Sequence, residues 1–148
     1  IGLGDLILVN AAVRDDGASR TYVPEQYPAV ADTGLLLACM ESAKERGFHH
    51  HVGLARSHDS FYIDNEEEVS AAWSKRGVLG SDMETAALFT VARLRGLKAA
   101  SILNNVVIWG EDTGESIGSY AGGADPTALG EKNEITVALD AFVKALKN

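Results

Sequence analysis

The sequence is poor in cysteine and in basic residues. The first shortage bears on disulfides and cell compartment, and the second on the class of binding partner. Its one cysteine, Cys39, cannot form a disulfide within the chain, which favours a reducing compartment. Lysine and arginine number 13 against 21 aspartate and glutamate residues, for a formal net charge of −8. A nucleic-acid partner is disfavoured, because phosphate backbones select basic surfaces. The net charge does not exclude a small anionic substrate, because such a substrate needs only a local positive site.

Long apolar runs are also missing, and none approaches the length of a membrane-spanning helix. No signal-peptide pattern is recognisable, so we expect a cytoplasmic protein without a membrane partner. The 148 residues are enough for a single domain over residues 1–148 with a substantial core. The chain starts at Ile1 without an initiator methionine, and we expect an upstream portion to be absent.

Short apolar runs alternate with helical patterns along the chain, which indicates an α/β fold. The runs predicted as buried strands are residues 5–9, 51–55 and 99–108. The predicted helices cover about residues 34–46, 66–76, 82–95 and 127–147. Residues 14–32 and 109–125 are expected to be loops, since they carry proline or glycine without periodicity. Asp32 or Thr33 can cap the first helix, and Gly47 ends it.

The most informative stretch runs from Gly80 to Phe89, where two carboxylates flank a methionine ahead of an alanine-rich helical pattern. Ser81 or Asp82 can cap this helix, and acidic side chains suit the positive end of a helix dipole. Glu84 lies at the start of what looks like a buried helix, where a carboxylate must be paired or must bind something polar. These residues fit a structural cap and a binding site about equally well.

The sequence around the histidines predicts structural roles for them and neither metal binding nor catalysis. His49 to His51 are consecutive, so their side chains alternate in direction on a strand, and no metal site is expected. No activated nucleophile is evident beside His58, so a local structural hydrogen bond is favoured over a catalytic dyad with Asp59. Asp59 is expected to hold its loop in place.

Five segments, taken in their order and spacing, resemble the nucleoside phosphorylase family, and most of all its uridine phosphorylases. They are Gly4-Asp5, the Asp16 to Asp32 segment with Pro24 and Pro28, His51-Val52-Gly53, Asp59-Ser60-Phe61-Tyr62, and Asp82-Met83-Glu84-Thr85-Ala86-Ala87-Leu88. No single motif decides the resemblance, but together they are specific.

The resemblance implies a fold and an activity. The fold is a three-layer α/β/α sandwich with a mixed, largely parallel sheet. The activity is phosphorolysis, in which phosphate attacks the anomeric carbon of a nucleoside and releases free base and ribose 1-phosphate. Inorganic phosphate is the co-substrate, and no metal or organic cofactor takes part. Relatives form dimers or hexamers whose sites a neighbouring subunit completes, so a homo-oligomer is expected.

The resemblance also implies roles for particular side chains. The carboxylate of Glu84 is the catalytic group, accepting hydrogen bonds from the ribose 2′ and 3′ hydroxyls. A fixed, dry carboxylate there favours the oxocarbenium character that develops as the base leaves. Met83 packs on the ribose, and Phe61 lies against the base. The other residues expected at the substrate are Asn65, Asp82, Val106 and Val107.

Departures from the family pattern keep the base preference open. Asn65 and Glu67 stand where uridine phosphorylases carry a glutamine and an arginine that read the uracil edge, and Trp109 stands where another arginine is expected. Purine-specific relatives place an aspartate near Val107 to protonate the leaving base, which valine cannot do. Asp82 replaces the usual glutamate and is one methylene shorter. Uridine is favoured, with a purine or broad-range phosphorylase as the alternative.

The phosphate-binding residues are not identified, because the resemblance places them in the family's N-terminal part. Arg14, Arg20 and Arg56 lie near recognisable motifs, and none of them is assigned to phosphate. A third alternative is therefore a non-catalytic fragment that binds nucleoside or only self-associates.

Overall fold

Strands and helices alternate along the chain, and the computed structural model describes residues 1–108, 113–123 and 125–146. The strands are β1 (Leu6–Asp15), β2 (Ala29–Val30), β3 (His50–His58), β4 (Val78–Asp82) and β5 (Ser101–Asn104). The helices are α1 (Gly17–Arg20), α2 (Thr33–Arg46), α3 (Glu66–Ser74), α4 (Thr85–Leu94), α5 (Thr113–Ala121) and α6 (Asp125–Ala145).

A single mixed sheet is built around β1. The strand order is β2-β1-β3-β4, and β5 also pairs with β1. β1 runs parallel to β3, from the pair Leu6 and His50 to the pair Asp15 and His58, and β3 runs parallel to β4. β5 pairs antiparallel with the first part of β1, and β2 pairs antiparallel with β1 beyond it. The sheet is therefore mixed, as the resemblance implies.

The side chains of β1 alternate between two helical layers, because successive residues of a strand point to opposite faces. On one face, Leu6 and Leu8 pack with residues of α2 and α6, namely Ala38, Cys39, Ala43, Val137 and Ala141. On the other face, Ile7 and Val9 pack with Ala86 and Phe89 of α4. These four β1 side chains are at most 2% exposed. Helices thus cover both faces, and the predicted three-layer α/β/α sandwich is confirmed.

The boundaries of α2 follow from its sequence. The Asp32 carboxylate accepts a hydrogen bond from Leu35 N at 2.9 Å, which caps the helix. Gly47 follows the helix in the left-handed conformation, with φ of 68°. Both predicted boundary signals are confirmed. Cys39 is buried in the core, as its apolar neighbours predict.

Two predicted loops contain regular structure, so these predictions are wrong in part. β1 continues through Asp15, and α1 and β2 also lie within residues 14–32. Pairing with β3 extends β1 past its apolar part, which local periodicity does not reveal. Helix α5 lies within residues 109–125, although its glycines lower helix propensity. Residues 109–112, with Trp109, and residue 124 lie outside the described part of the chain.

The sequence pattern does not predict β4. Its residues, Val78 to Asp82, include Gly80 and none of them is buried, so the apolar signal is weak. The helix predicted over residues 82–95 begins only at Thr85, because Asp82 still pairs with Ser57 of β3. β5 is shorter than the predicted strand over residues 99–108. The predictions for α3 and α6 agree with the structure apart from one or two residues at their ends.

Helix α6 meets the start of β1 through two glycines. A Cβ built on Gly130 would lie 2.7 Å from Gly4 Cα and closer still to Asn104 Oδ1. Gly4 itself has φ of 81° and lies against the Pro126 carbonyl, where a side chain has no room. Contact between the two backbones is therefore needed to seat α6 on the sheet.

Substituting Gly130→Ala is expected to lower the free energy of unfolding by about 1–3 kcal/mol, because the added methyl overpacks this junction. Gly118→Ala in α5 is the matched control, since no neighbouring atom lies within 4 Å of its Cβ position. That substitution should leave stability unchanged or raise it, because alanine favours helix over glycine. Urea unfolding of both variants checks the difference, and equal effects would contradict the packing argument.

Burial raises the pKa of the Cys39 thiol from 9.0 to about 11. The folded chain therefore holds this proton more tightly than the unfolded chain does. The resulting stabilisation is complete below pH 9 and is lost as pH rises toward 11.

The stability difference between the parent and Cys39→Ala is therefore expected to shrink by about 1–3 kcal/mol between pH 8 and pH 11. Urea unfolding of both proteins across this range measures it. Other titrating groups are common to the two proteins and cancel in the comparison. A constant difference would show that the thiol does not titrate as proposed.

Candidate functional site

The candidate site lies at the edge of the sheet where three parallel strands end. Arg14 of β1 pairs with Ser57 of β3, and Ser57 pairs with Asp82 of β4, so these residues stand side by side. The loops that follow β3 and β4 carry Phe61 and Glu84. The carboxyl ends of parallel strands are where α/β proteins gather ligand-binding groups. The structure thus places most of the predicted site at one edge.

Asp82 is fully engaged with neighbouring protein groups. Its Oδ1 accepts a hydrogen bond from Ser57 Oγ at 2.6 Å, and its Oδ2 accepts one from Thr85 N at 2.9 Å. The Thr85 hydroxyl also donates to Oδ2. The prediction that Asp82 can cap the following helix is therefore confirmed. These bonds tie β4 to β3 and to the start of α4.

Met83 and Glu84 form the short connection between β4 and α4. Both are exposed, Met83 to 38% of its surface. Glu84 precedes the first helical residue and makes no side-chain cap, and its Oε2 accepts a hydrogen bond from Met83 N at 3.1 Å. The expectation of a dry carboxylate is wrong for this chain by itself. The buried face of α4 begins one residue later, at Thr85.

Phe61 and Asn65 lie in the loop between β3 and α3. The Phe61 ring is half-buried and meets Tyr62 edge-on, with 4.8 Å between ring centroids, while Tyr62 is 85% exposed. Asn65 immediately precedes α3 and is exposed, and its side chain does not cap that helix. Neither observation shows a contact of these two side chains with Met83 or Glu84.

Asp59 anchors this loop to the segment that follows β1. Its Oδ2 accepts a hydrogen bond from Gly17 N at 2.8 Å, so the loop-holding role predicted for Asp59 is confirmed. His58 Nδ1 lies 2.9 Å from the carbonyl oxygen of Ser60, which is the local structural hydrogen bond that we predict.

Val106 and Val107 lie at a different end of the sheet. The residue before them, Asn105, exchanges backbone hydrogen bonds with Gly4 and Asp5 at the start of β1. Because β5 is antiparallel to β1, its carboxyl end points away from the edge that holds Asp82. Their inclusion in one site with Phe61 and Glu84 therefore rests on the resemblance and not on a contact in this chain.

The arginines near the recognised motifs contact protein acceptors. Arg14 is buried, and its guanidinium donates to Ser19 Oγ and to the carbonyl oxygens of Val23, Pro24, Glu25 and Tyr27. Arg56 pairs with Asp15 at 2.6 Å, and Arg20 lies 3.6 Å from the same carboxylate. These contacts agree with the assignment of none of the three to phosphate.

Ser57 and Ser101 are site neighbours that the sequence reasoning missed. Ser57 is fully buried, and its hydroxyl bridges Asp82 and the backbone N–H of Ala86. Ser101 begins β5 and lies 2.7 Å from the Thr85 hydroxyl. Ser57 is a small polar residue two positions after the run Val52 to Ala55, and this place at the end of a predicted strand is the signal that could have marked it.

Other features of the described residues lie away from this edge. A surface cleft of about 220 Å³ opens beside the far end of α4, lined by Phe89, Arg93 and Lys98 among others, and contains none of the predicted site residues. Among residues 1–108, 113–123 and 125–146, no three histidine, cysteine or acidic side chains converge as metal ligands. No helix in that described part is both long and apolar enough to cross a membrane.

Comparisons with known proteins agree with the fold and with the sequence motifs. A uridine phosphorylase from Thermococcus kodakarensis is 36% identical over 114 residues, which make up 69% of this chain and 41% of that protein. A guanosine phosphorylase from Halorubrum lacusprofundi is 34% identical over 100 residues, covering 68% of this chain and 41% of that protein. The crystal structure of a Vibrio fischeri uridine phosphorylase matches with a TM-score of 0.86 and 42% identity.

The matches cover a larger share of this chain than of its relatives. The match to the Vibrio fischeri structure covers 97% of this chain but 58% of that one, so the chain spans less than two thirds of these relatives. The family model described as Phosphorylase superfamily matches residues 1–115. Because that match extends over most of the sequence, the chain belongs to the phosphorylase superfamily.

Proposed function

We propose that this chain carries the ribose- and base-contacting part of a nucleoside phosphorylase. The reaction is phosphorolysis of a nucleoside, uridine being favoured, to free base and ribose 1-phosphate. The observation that carries the proposal is the placement of Met83 and Glu84 at the carboxyl edge of the sheet. There the Glu84 carboxylate is exposed and contacts a backbone N–H, so it can accept ligand hydroxyls.

Glu84 is the proposed catalytic residue. Its carboxylate would accept hydrogen bonds from the ribose 2′ and 3′ hydroxyls and hold the sugar in place. A phosphate oxygen then bonds to the anomeric carbon as the bond from that carbon to the base nitrogen breaks, and its electron pair leaves with the base. The negative carboxylate favours the positive charge that develops on the ring.

Met83, Phe61 and Asn65 complete the proposed substrate site. Met83 is exposed beside Glu84, and its flexible thioether can pack on the ribose. Phe61 offers a ring face for the base, and the exposed Asn65 amide can reach the uracil edge. Asp82 holds the segment in place. Val106 and Val107 enter the proposed base pocket on the resemblance alone.

Uridine is favoured over purines because Val107 cannot protonate a leaving purine. The similarity to a guanosine phosphorylase supports a purine or broad-range activity as the second candidate. Uridine and inosine, each offered with phosphate, separate the two.

A nucleoside-binding chain without turnover is the third candidate. The contacts of Arg14, Arg20 and Arg56 with carbonyl and carboxylate oxygens favour it, since these cations are engaged within the protein. The phosphate-binding residues stay unassigned. We also propose a cytoplasmic homo-oligomer, a dimer or hexamer, in which a neighbouring subunit would cover the exposed Glu84 carboxylate and so exclude water.

In the proposed homo-oligomer, where a neighbouring subunit shields Glu84 from water, Glu84→Gln is expected to lower phosphorolysis of uridine by roughly 100-fold or more. The amide keeps the size of the side chain but removes its charge. Formation of ribose 1-phosphate with and without phosphate measures the activity. Glu131→Gln, at an exposed glutamate of α6, is the control and should match the parent.

The activities of the parent and of the two variants decide between the candidate functions. Activity that needs phosphate and falls only in Glu84→Gln supports it. Full activity in Glu84→Gln would refute the role of this carboxylate. Binding of uridine by the parent without turnover would instead support the non-catalytic candidate.

A further inference from the structure

Four side chains from four different elements converge below the connection that carries Glu84. Ser57 comes from β3, Asp82 from β4, Thr85 from α4 and Ser101 from β5. Ser57 is 0% and Thr85 2% exposed, so these hydroxyls are shielded from water. A chain of hydrogen bonds joins all four.

The direction of each bond follows from the number of protons that each group has. The Asp82 carboxylate only accepts, so the hydroxyls of Ser57 and Thr85 both donate to it. Thr85 has then used its single hydroxyl proton, so its Oγ1 accepts from Ser101 Oγ at 2.7 Å. Ser57 Oγ in turn accepts from Ala86 N at 2.8 Å. Hydrogen-bond donation therefore runs in one direction, from the Ser101 hydroxyl to Thr85 and from the Thr85 hydroxyl to Asp82.

These hydrogen bonds also cap the start of α4 in place of the Glu84 side chain. The first backbone N–H groups of a helix lack partners within it and need a cap. Here Thr85 N donates to Asp82 and Ala86 N donates to Ser57. Glu84, which stands at the N-cap position, makes no side-chain cap. Its carboxylate accepts a hydrogen bond from Met83 N instead.

Asp82 reaches the helix start from two residues before the N-cap position. One of its carboxylate oxygens accepts from Thr85 N at 2.9 Å, and the other accepts from Ser57 Oγ at 2.6 Å. One side chain therefore links the start of α4 to β3.

We propose that Ser57, Thr85 and Ser101, acting through Asp82, are positioning residues that set where the Glu84 carboxylate lies. They fix the start of α4 against β3, β4 and β5, and so aim the Met83 and Glu84 connection at the sheet edge. This inference rests on the proposed function, because the ligand that Glu84 receives is the ribose of a nucleoside.

The test uses two substitutions of Thr85 and a matched control on the same helix. Thr85→Val keeps the shape and removes the hydroxyl, while Thr85→Ser keeps the hydroxyl. Thr90→Val makes the same change at a threonine of α4 that is also buried but whose hydroxyl has no hydrogen-bond partner. Ser101→Ala removes only the outermost donor and serves if Thr85→Val fails to fold.

Two readouts separate positioning from general stability. The first is amide hydrogen exchange at Ala86, which reports the cap, and at Met83, which reports the Glu84 carboxylate. We expect Thr85→Val to speed both by about tenfold. The second is uridine affinity by titration calorimetry without phosphate, so that no turnover occurs, which we expect to weaken by about tenfold. Thr85→Ser and Thr90→Val should match the parent in both, and Ser101→Ala should shift both in the direction of Thr85→Val.

Failure of this inference is distinguishable from failure of the proposed function. If the parent binds no uridine, the proposed function fails, and exchange at Met83 still decides whether the network holds Glu84. Unchanged exchange at Met83 and Ala86 in Thr85→Val would overturn the inference. Faster exchange with unchanged uridine affinity would also overturn it, because the network would then be only a structural cap.

Discussion

The structure depends on the burial of β1 from both sides. Leu6 to Val9 are at most 2% exposed, and their alternate side chains face two separate helical layers. A shift of one residue in the pairing with β3 would exchange the two faces, so this burial fixes the register of the sheet. The pairing of β1 with β3 shifts register between Val9 and Ala11, and that of β3 with β4 shifts between Leu54 and Ala55. Beyond these shifts, Arg14, Ser57 and Asp82 lie side by side at one edge. The candidate site thus depends on the core packing and on these two irregularities.

Two neighbouring carboxylates have different surroundings at that edge. Asp82 accepts hydrogen bonds from Ser57 and Thr85 and is engaged in holding the start of α4. Glu84, two residues later, is exposed and contacts one backbone N–H. The difference arises because Asp82 still belongs to β4, whereas Glu84 has left the strand. One acidic residue therefore holds the start of α4, and the other is exposed to solvent.

Several side chains at this edge of the sheet are exposed to solvent. The chain spans 58% of the Vibrio fischeri structure, and the helices that cover both faces of the sheet leave Met83, Glu84 and Tyr62 open. A carboxylate in water stabilises a developing positive charge far less than one in a dry site, because water screens it. The role proposed for Glu84 in phosphorolysis therefore requires that other protein groups shield this edge from water.

The sequence by itself determined the elements whose signals are local. The apolar run around Leu6, the Asp32 cap and Gly47 stop of α2, and the motif around Asp82 and Glu84 are all readable, because periodicity and capping involve residues close in the chain. The order of the motifs was sufficient to indicate the family and its α/β/α fold.

Only the tertiary structure decided what depends on distant pairing. β4 forms because β3 lies beside it, and β5 runs antiparallel to β1, which places Val106 and Val107 at the opposite end from Asp82. The partners of Asp82 come from β3 and α4, and the exposure of Glu84 depends on surrounding residues that local patterns do not specify. Strand direction and solvent exposure are set by contacts between distant segments, and a local pattern in one segment does not contain them.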